Sequence, residues 1–387
     1  MPVLKHAILS TLVYYDLLDR PLTELEIYRY LLAFSQKVEP RRRESAALLY
    51  SVAGRNPAPK AIHDDRSPAS ETRWPSGARV SFFDFTQTLA EIVRTKKIEC
   101  HQGLYFLPDH TNLSQAGQQI CHAGLDPASK IRKNLDSRFR GNDKIDIIKI
   151  REERLKLAQL KWKKLKKLAR WLALVPFLRL AAVTGSLTAY NTRQDSDFDL
   201  LIVAKNGRLW LTRTLITALT SLMRARRHDQ FTQDRICLNC YLTQEGLEIK
   251  PEAKPRDFHS AQEYGRLTPI LEIEKGLYQK FLQKNSWLNQ YLNFFPWTVE
   301  ETAKKIKINR GLSSIRKAGE RLLAGEAGDW LEKKLGAWQT QRINQKLQTE
   351  PADQIYISQQ CLMFHPHSKS YRLLRAWQIK INALTNQ

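Results

Sequence analysis

Asp197 and Asp199 flank Phe198 and lead into the apolar run Leu200–Val203. Side chains alternate along a strand, so the two carboxylates project from one face, close together. Such a pair repels itself, and a cation between the two relieves the repulsion. A hard divalent ion, best of all Mg²⁺, takes carboxylate, water and phosphate oxygens in its shell. Ten residues separate Ser186 from Asp197, and Gly185–Ser186 itself closes another apolar run, Leu180–Val183. Gly185 lets the backbone turn tightly and approach a ligand. Ser186 adds a hydroxyl, and the amides that follow can face a phosphate. The bland alternative is a Gly-Ser turn before an acidic loop, but an acidic pair entering an apolar strand is costly without a partner.

The elements that must hold these residues are two buried strands, 180–183 and 200–203, bounded by turn residues. A helix is expected over Leu211–Met223, ending in Arg224, Arg226, Arg227 and His228, charges that suit a helix C-terminus and could neutralise a substrate phosphate. A third strand follows over Ile236–Leu242. Cys237 and Cys240 have C-x-x-C spacing, yet a strand sends their sulfurs to opposite faces and no further pair completes a zinc site. The five cysteines, odd in number and scattered, read as reduced thiols.

Strand, Gly-Ser turn, spacer and the run Ser196-Asp197-Phe198-Asp199-Leu200 together resemble the signature of the DNA polymerase beta-like nucleotidyltransferase superfamily. The stretches 207–213, 235–243 and 284–292 are similar to those of uncharacterised bacterial proteins of that group. The resemblance implies a mixed-sheet α/β core and transfer of a nucleoside monophosphate from an NTP to a hydroxyl. It makes Asp197 and Asp199 the catalytic, Mg²⁺-holding residues and Gly185, Ser186 and Ser196 the nucleotide-binding ones. Many members carry a third carboxylate on the next strand. Here the matching position is the neutral Asn239, with Asp234 a weak substitute.

Before this core, Val3–Leu18 and Glu24–Phe34 have helical spacing, the latter opened by a Thr23/Glu26 capping box. Phe85–Lys96 reads as a third helix with Leu89, Ile92 and Val93 inward. A hairpin then runs from Ile98 through a Gln102–Gly103 turn to Leu107. Three helices and a hairpin resemble a winged helix-turn-helix. As a DNA reader its third helix offers only Gln87, Arg94, Lys96 and Lys97, so packing against a partner domain is the competing role. Two segments, 36–81 and 115–146, have no apolar period and read as disordered insertions. Residues 115–146 resemble a translated bacterial interspersed repeat.

The organisation expected is therefore a winged-helix-like domain over 1–112 with its insertion 36–81, a further insertion 115–146, a basic connecting helix 147–171, the nucleotidyltransferase core 172–250 and a helical region 251–387. Within 151–170 nine basic residues face two glutamates. That helix is either a nucleic-acid surface or a solvated face, with Leu157, Leu160, Trp162, Leu165 and Leu168 inward. Trp330, Trp338 and Trp377 read as core. His365 and His367 around Pro366 read as a polar turn rather than a metal site.

The net charge of +23 favours a polyanionic partner. Nothing after His6–Tyr15 resembles a cleavage site, and 168–183 is too charged to span a bilayer, so a cytoplasmic protein without a membrane partner is expected. Another class of function stays open: a non-catalytic nucleic-acid-binding or regulatory protein, toxin–antitoxin related among the options, built on a degenerate transferase core.

Overall fold

The structure, a computed structural model, describes residues 2–32, 80–108, 143–228, 231–293, 295–296, 304–349, 355–365 and 370–385. Most of both expected insertions, together with Cys121, Pro366 and His367, lies outside the described residues.

Helix α1 (Pro2–Asp16) is followed by a two-residue strand β1 (Leu22–Thr23) and α2 (Glu24–Arg29). The Thr23/Glu26 capping box is present in both directions. It satisfies amides that a helix start leaves without partners. Helix α2 stops at Arg29, short of the expected Phe34. Val80 is buried, and the Ser81 hydroxyl accepts from Asp84 N at 3.0 Å, so these two residues belong to the start of α3 (Phe82–Arg94) and not to an insertion. The hairpin is β2 (Glu99–His101) and β3 (Leu104–Phe106), and β1 pairs with β3 to make a three-stranded antiparallel sheet.

Helix α4 (Asp143–Leu172) takes over the last four residues of the insertion expected at 115–146. Its buried stripe is Ala158, Lys161, Trp162, Leu165, Ala169 and Leu172, whereas Leu160 is exposed. The strands of the main sheet follow: β4 (Leu178–Val183), then a single turn α5 (Gly185–Thr188), β5 (Phe198–Ala204), α6 (Leu209–Leu222) and β6 (Ile236–Thr243). Beyond residue 250 come α7 (Phe258–Gly265), β7 (Thr268–Glu272), α8 (Leu277–Lys284), α9 (Arg310–Leu322), α10 (Glu326–Thr349), β8 (Ile355–Ile357), β9 (Cys361–Phe364) and α11 (Ser370–Thr385).

The main sheet has six strands in the order β7-β4-β5-β6-β9-β8. Only β5 and β6 are parallel, joined through α6; every other pair is antiparallel. The fold is thus mixed α/β. The stretch 251–387 is not the purely helical region expected from sequence, because it supplies three of the six strands, and the sheet is incomplete without them. No boundary at 250 separates core from tail.

Leu180, Ala182, Leu201 and Val203 pack on one face with α1, α3, α7 and α11; Ala181, Val183, Leu200 and Ile202 pack on the other with α4 and α6. Strands buried on both faces read as unbroken apolar runs, which is why 180–183 and 200–203 stand out in the sequence. At about 25 cal/mol per Å² of apolar surface, fully burying one such Leu or Val contributes about 2 kcal/mol.

Trp377 is buried and donates to Ser10 O at 2.9 Å. Trp330 and Trp338 on α10 are exposed, contrary to the expectation that they are core. Lys334 and Arg342, one turn on, sit over the two rings, so their faces are partly covered by cationic stems. Among the described residues no helix is long and apolar enough to cross a membrane.

Candidate active site

At the end of β4 the chain turns at Gly185, whose φ is +71°, a left-handed conformation that L side chains rarely adopt. A Cβ built there would stand 2.7 Å from Asp199 Oδ2, so the position needs glycine twice over, for its backbone and for the space. The neighbouring Thr184 N donates to Asp199 O at 3.0 Å, tying the turn to the first residues of β5. Ser186 is half-buried, and its carbonyl accepts from Asn191 N at 3.0 Å.

Asp197 ends the loop and Asp199 is the next residue but one, inside β5. Their carboxylates and the Cys237 sulfur lie within 4.8 Å of one another. The strand-alternation argument therefore brings the two aspartates together as expected. Cys237 joins them as the register partner of Asp199 on the neighbouring parallel strand, and an irregularity follows at once, since Leu201 pairs with Cys240. One extra residue of β6 opposes β5 there, and such a bulge re-aims side chains next to it. Within the same bulge Asn239 Nδ2 donates to Asp199 Oδ1 at 3.0 Å.

Arg227 supplies the charge in this site. Its backbone pairs with Ile236 at the start of β6, and its Nη1 donates to Asp197 Oδ2 at 2.7 Å while lying 3.6 Å from Cys237 Sγ. The helix-end arginine thus faces a carboxylate, whereas reading it as a helix-capping charge missed this contact. The signal available in sequence was its place just before a strand that runs parallel to the aspartate strand.

Burial is the main cause pushing the Asp199 carboxyl up, to about 7, with the Asp197 and Glu263 charges adding to it. Burial, then Asp199 and Asp197, push the Cys237 thiol up as well, so it remains a protonated thiol at neutral pH. A protonated thiol is a poor partner for a hard cation, so the groups of this cluster that could hold one are its two carboxylates. Two close carboxylates, one of them raised toward neutrality, beside a turn kept free of any side chain, fit a divalent ion and the phosphate oxygens it brings.

Ser196 acts elsewhere. Its hydroxyl accepts from Arg193 N at 2.9 Å, and its carbonyl accepts from Lys161 Nζ at 2.7 Å and Asp234 N at 3.2 Å, which fixes the loop leading into Asp197. Asp234, the weak candidate for a third carboxylate, is ion-paired with Lys161 at 2.9 Å and Lys164 at 2.8 Å. These two lysines, with Arg154 on Asp19 and Arg151 on Glu26, also show that much of the basic helix is occupied within the chain. His365, whose imidazole pKa burial lowers to about 4, is neutral at pH 7.

The chain matches no protein-family model, no curated protein and no solved structure.

Proposed function

We propose that the protein is a Mg²⁺-dependent nucleotidyltransferase that moves a nucleoside monophosphate from an NTP to a hydroxyl acceptor. In this reading the sheet β7-β4-β5-β6 is a DNA polymerase beta-like core, and α1–α3 with the small sheet is a winged-helix domain. The observation that carries it is Gly185 held at positive φ against the Asp199 carboxylate, with Asp197 alongside.

Asp197 and Asp199 would hold the ion. When bound, it supplies charge neutralisation for the triphosphate and polarises the phosphorus under attack. The chain's own residues position and compensate. The Gly185–Ser186 turn, which packs its glycine directly against the Asp199 carboxylate, would bring its backbone close to the β- and γ-phosphates of a nucleotide on the ion. Arg227, half-exposed, can leave Asp197 for a phosphate oxygen as the carboxylate takes the cation. Asn239 holds Asp199 in orientation but takes no proton, so the acceptor hydroxyl gives its proton to solvent or to another group. Such transfer is mostly positioning and electrostatics, which two carboxylates and a phosphate turn can supply.

Thermal stabilisation by each NTP, with and without Mg²⁺, tests the reading against an Asp197→Ala/Asp199→Ala variant. A ligand that binds only the native state raises Tm, by about 2.7 kcal/mol of stability at a hundred times its Kd. A Mg²⁺-dependent rise for at least one NTP, absent in the variant, is expected. No rise with any NTP overturns it. The neutral Asn239 favours an alternative, a regulator on a degenerate core, which instead requires NTP-independent DNA binding that weakens steeply with salt.

A further inference from the structure

Away from the aspartates, a cavity of about 310 Å³ opens between the N-terminal helices, α4 and the α7–β7 corner. That is the lower end of the range for small-molecule sites. Among the described residues four arginines line it, Arg20, Arg29, Arg151 and Arg266, against a single carboxylate, Glu26. They come from four separate stretches of chain: the turn after α1, the end of α2, α4 and the loop after α7. Folding alone gives no reason to gather four guanidinium groups, since like charges brought together cost stability unless an anion lies among them.

We propose that this cavity is a binding site for the phosphate group of a phosphorylated small molecule.

Three of the four guanidinium groups are held by the fold before any ligand arrives. Glu26 accepts from Arg20 Nη2 at 2.8 Å through one oxygen and from Arg151 Nη2 at 2.7 Å through the other. Burial acts to raise its pKa, but Arg20 and Arg151 override that and keep Glu26 ionised. Arg20 is 5 % exposed, and its Nη1 has no hydrogen-bond partner among the described residues. A buried guanidinium donor left so costs stability until an acceptor reaches it. Arg266 lies over the Tyr30 ring, 3.9 Å from its centroid, and donates to Tyr15, which in turn donates to Gln262 at 2.6 Å. Its pKa is brought down to about 10, chiefly by burial. Arg29 makes no ion pair among the described residues. Planar guanidinium groups fixed at several angles match the tetrahedral oxygens of a phosphate.

The cavity also adjoins the aspartate site along the chain. Thr188 and Asn191, on its wall, follow directly from the Gly185 turn, and Asn191 N is bonded to Ser186 O. The proposal does not depend on the nucleotidyltransferase reading.

Calorimetric titration of the full chain in EDTA with inorganic phosphate, pyrophosphate and AMP tests it. Saturable binding of at least one is expected, unchanged in Asp197→Ala/Asp199→Ala and weakened about tenfold in Arg29→Ala, which removes one charge-assisted contact. Arg29 is half-buried at the end of a helix and pairs with no acid among the described residues, so the variant is expected to keep the wild-type Tm. AMP tighter than phosphate would identify a nucleotide as the source of the group, and equal affinities a free phosphate. No saturable binding of any of the three, or Arg29→Ala binding as tightly as wild type, overturns the proposal.

Discussion

Asp199 and Asp234 stand at the starts of neighbouring parallel strands, yet the chain treats them in opposite ways. Asp234 receives two lysines from α4, and although burial acts to raise its carboxyl, Lys164 and Lys161 hold it below the usual range. Glu263 on α7 receives Lys254 at 3.0 Å and is held down to about 2, against its burial, with His365 and His259 adding to the effect. Among the described residues Asp199 is met at close range by a neutral amide and a protonated thiol. Its carboxyl is pushed up to about 7, chiefly by burial, and Arg227, bonded to Asp197, only partly offsets this. Acids that serve the fold arrive with their cation in the chain. Asp199, left without a cation of its own, is the carboxylate beside an obligatory glycine. That contrast marks a candidate site more sharply than the count of acidic residues does.

The largest expected effect tests the structural side of the contrast. Glu263→Gln leaves Lys254, 3 % exposed, without its carboxylate and should cost about 3 kcal/mol at pH 7. Because the folded pKa lies below the unfolded one, Glu263 contributes fully above about pH 4.3, its unfolded value. That contribution fades as pH falls through about 2. Denaturant unfolding of wild type and variant should therefore give a constant gap from about pH 5 to 8 and a shrinking one between about pH 4 and pH 2. A gap that ignores pH would mean the loss is one of packing, not of charge.

The next effect has the opposite sign. Asp199→Asn keeps the shape, removes a buried charge and ends its repulsion with Asp197, so in EDTA it should stabilise the protein by about 2 kcal/mol. The same variant should lose any Mg²⁺-dependent stabilisation by NTP. Stability gained as binding is lost is the signature of a site kept under electrostatic strain for a ligand. A loss of stability in EDTA would instead put Asp199 among the structural acids.

Much of the site was legible because its logic is local. Positive φ at Gly185, alternation at Asp197 and Asp199, and the neutral residue at Asn239 all follow from turn chemistry and a period of two. The Thr23/Glu26 capping box and the 99–106 hairpin were legible for the same reason. What escaped depends on partners far away in the chain. Strand β7 contains Pro269, which argues against a central strand and is tolerated here because β7 is the edge of the sheet. Strands β8 and β9 have three and four residues, too short to show a period, and are strands only because β6 offers them an edge. Cys237 enters the site as the register partner of Asp199, and the register between two strands leaves no trace in a hydrophobic pattern. Arg227 needed the parallel β5–β6 pairing to reach Asp197.

The smallest effect is the cleanest test of which acid is which. Asp234 faces Lys161 and Lys164, but Lys164 is largely exposed, and Lys161 also donates to Gln194 O at 3.0 Å and Ser196 O at 2.7 Å. Asp234→Asn therefore removes two ion pairs, a well-screened one to Lys164 and one to the buried Lys161, but leaves Lys161 two carbonyl acceptors, so the cost should stay at about 1 kcal/mol. Because Ser196 O stays bonded to Lys161, the loop into Asp197 should keep its place, and stabilisation by Mg²⁺ and NTP should match wild type. If Asp234→Asn abolished that stabilisation while costing no more than this in unfolding, Asp234 would be a working third carboxylate that moves to the site, and the division between structural and functional acids would fail at its weakest point.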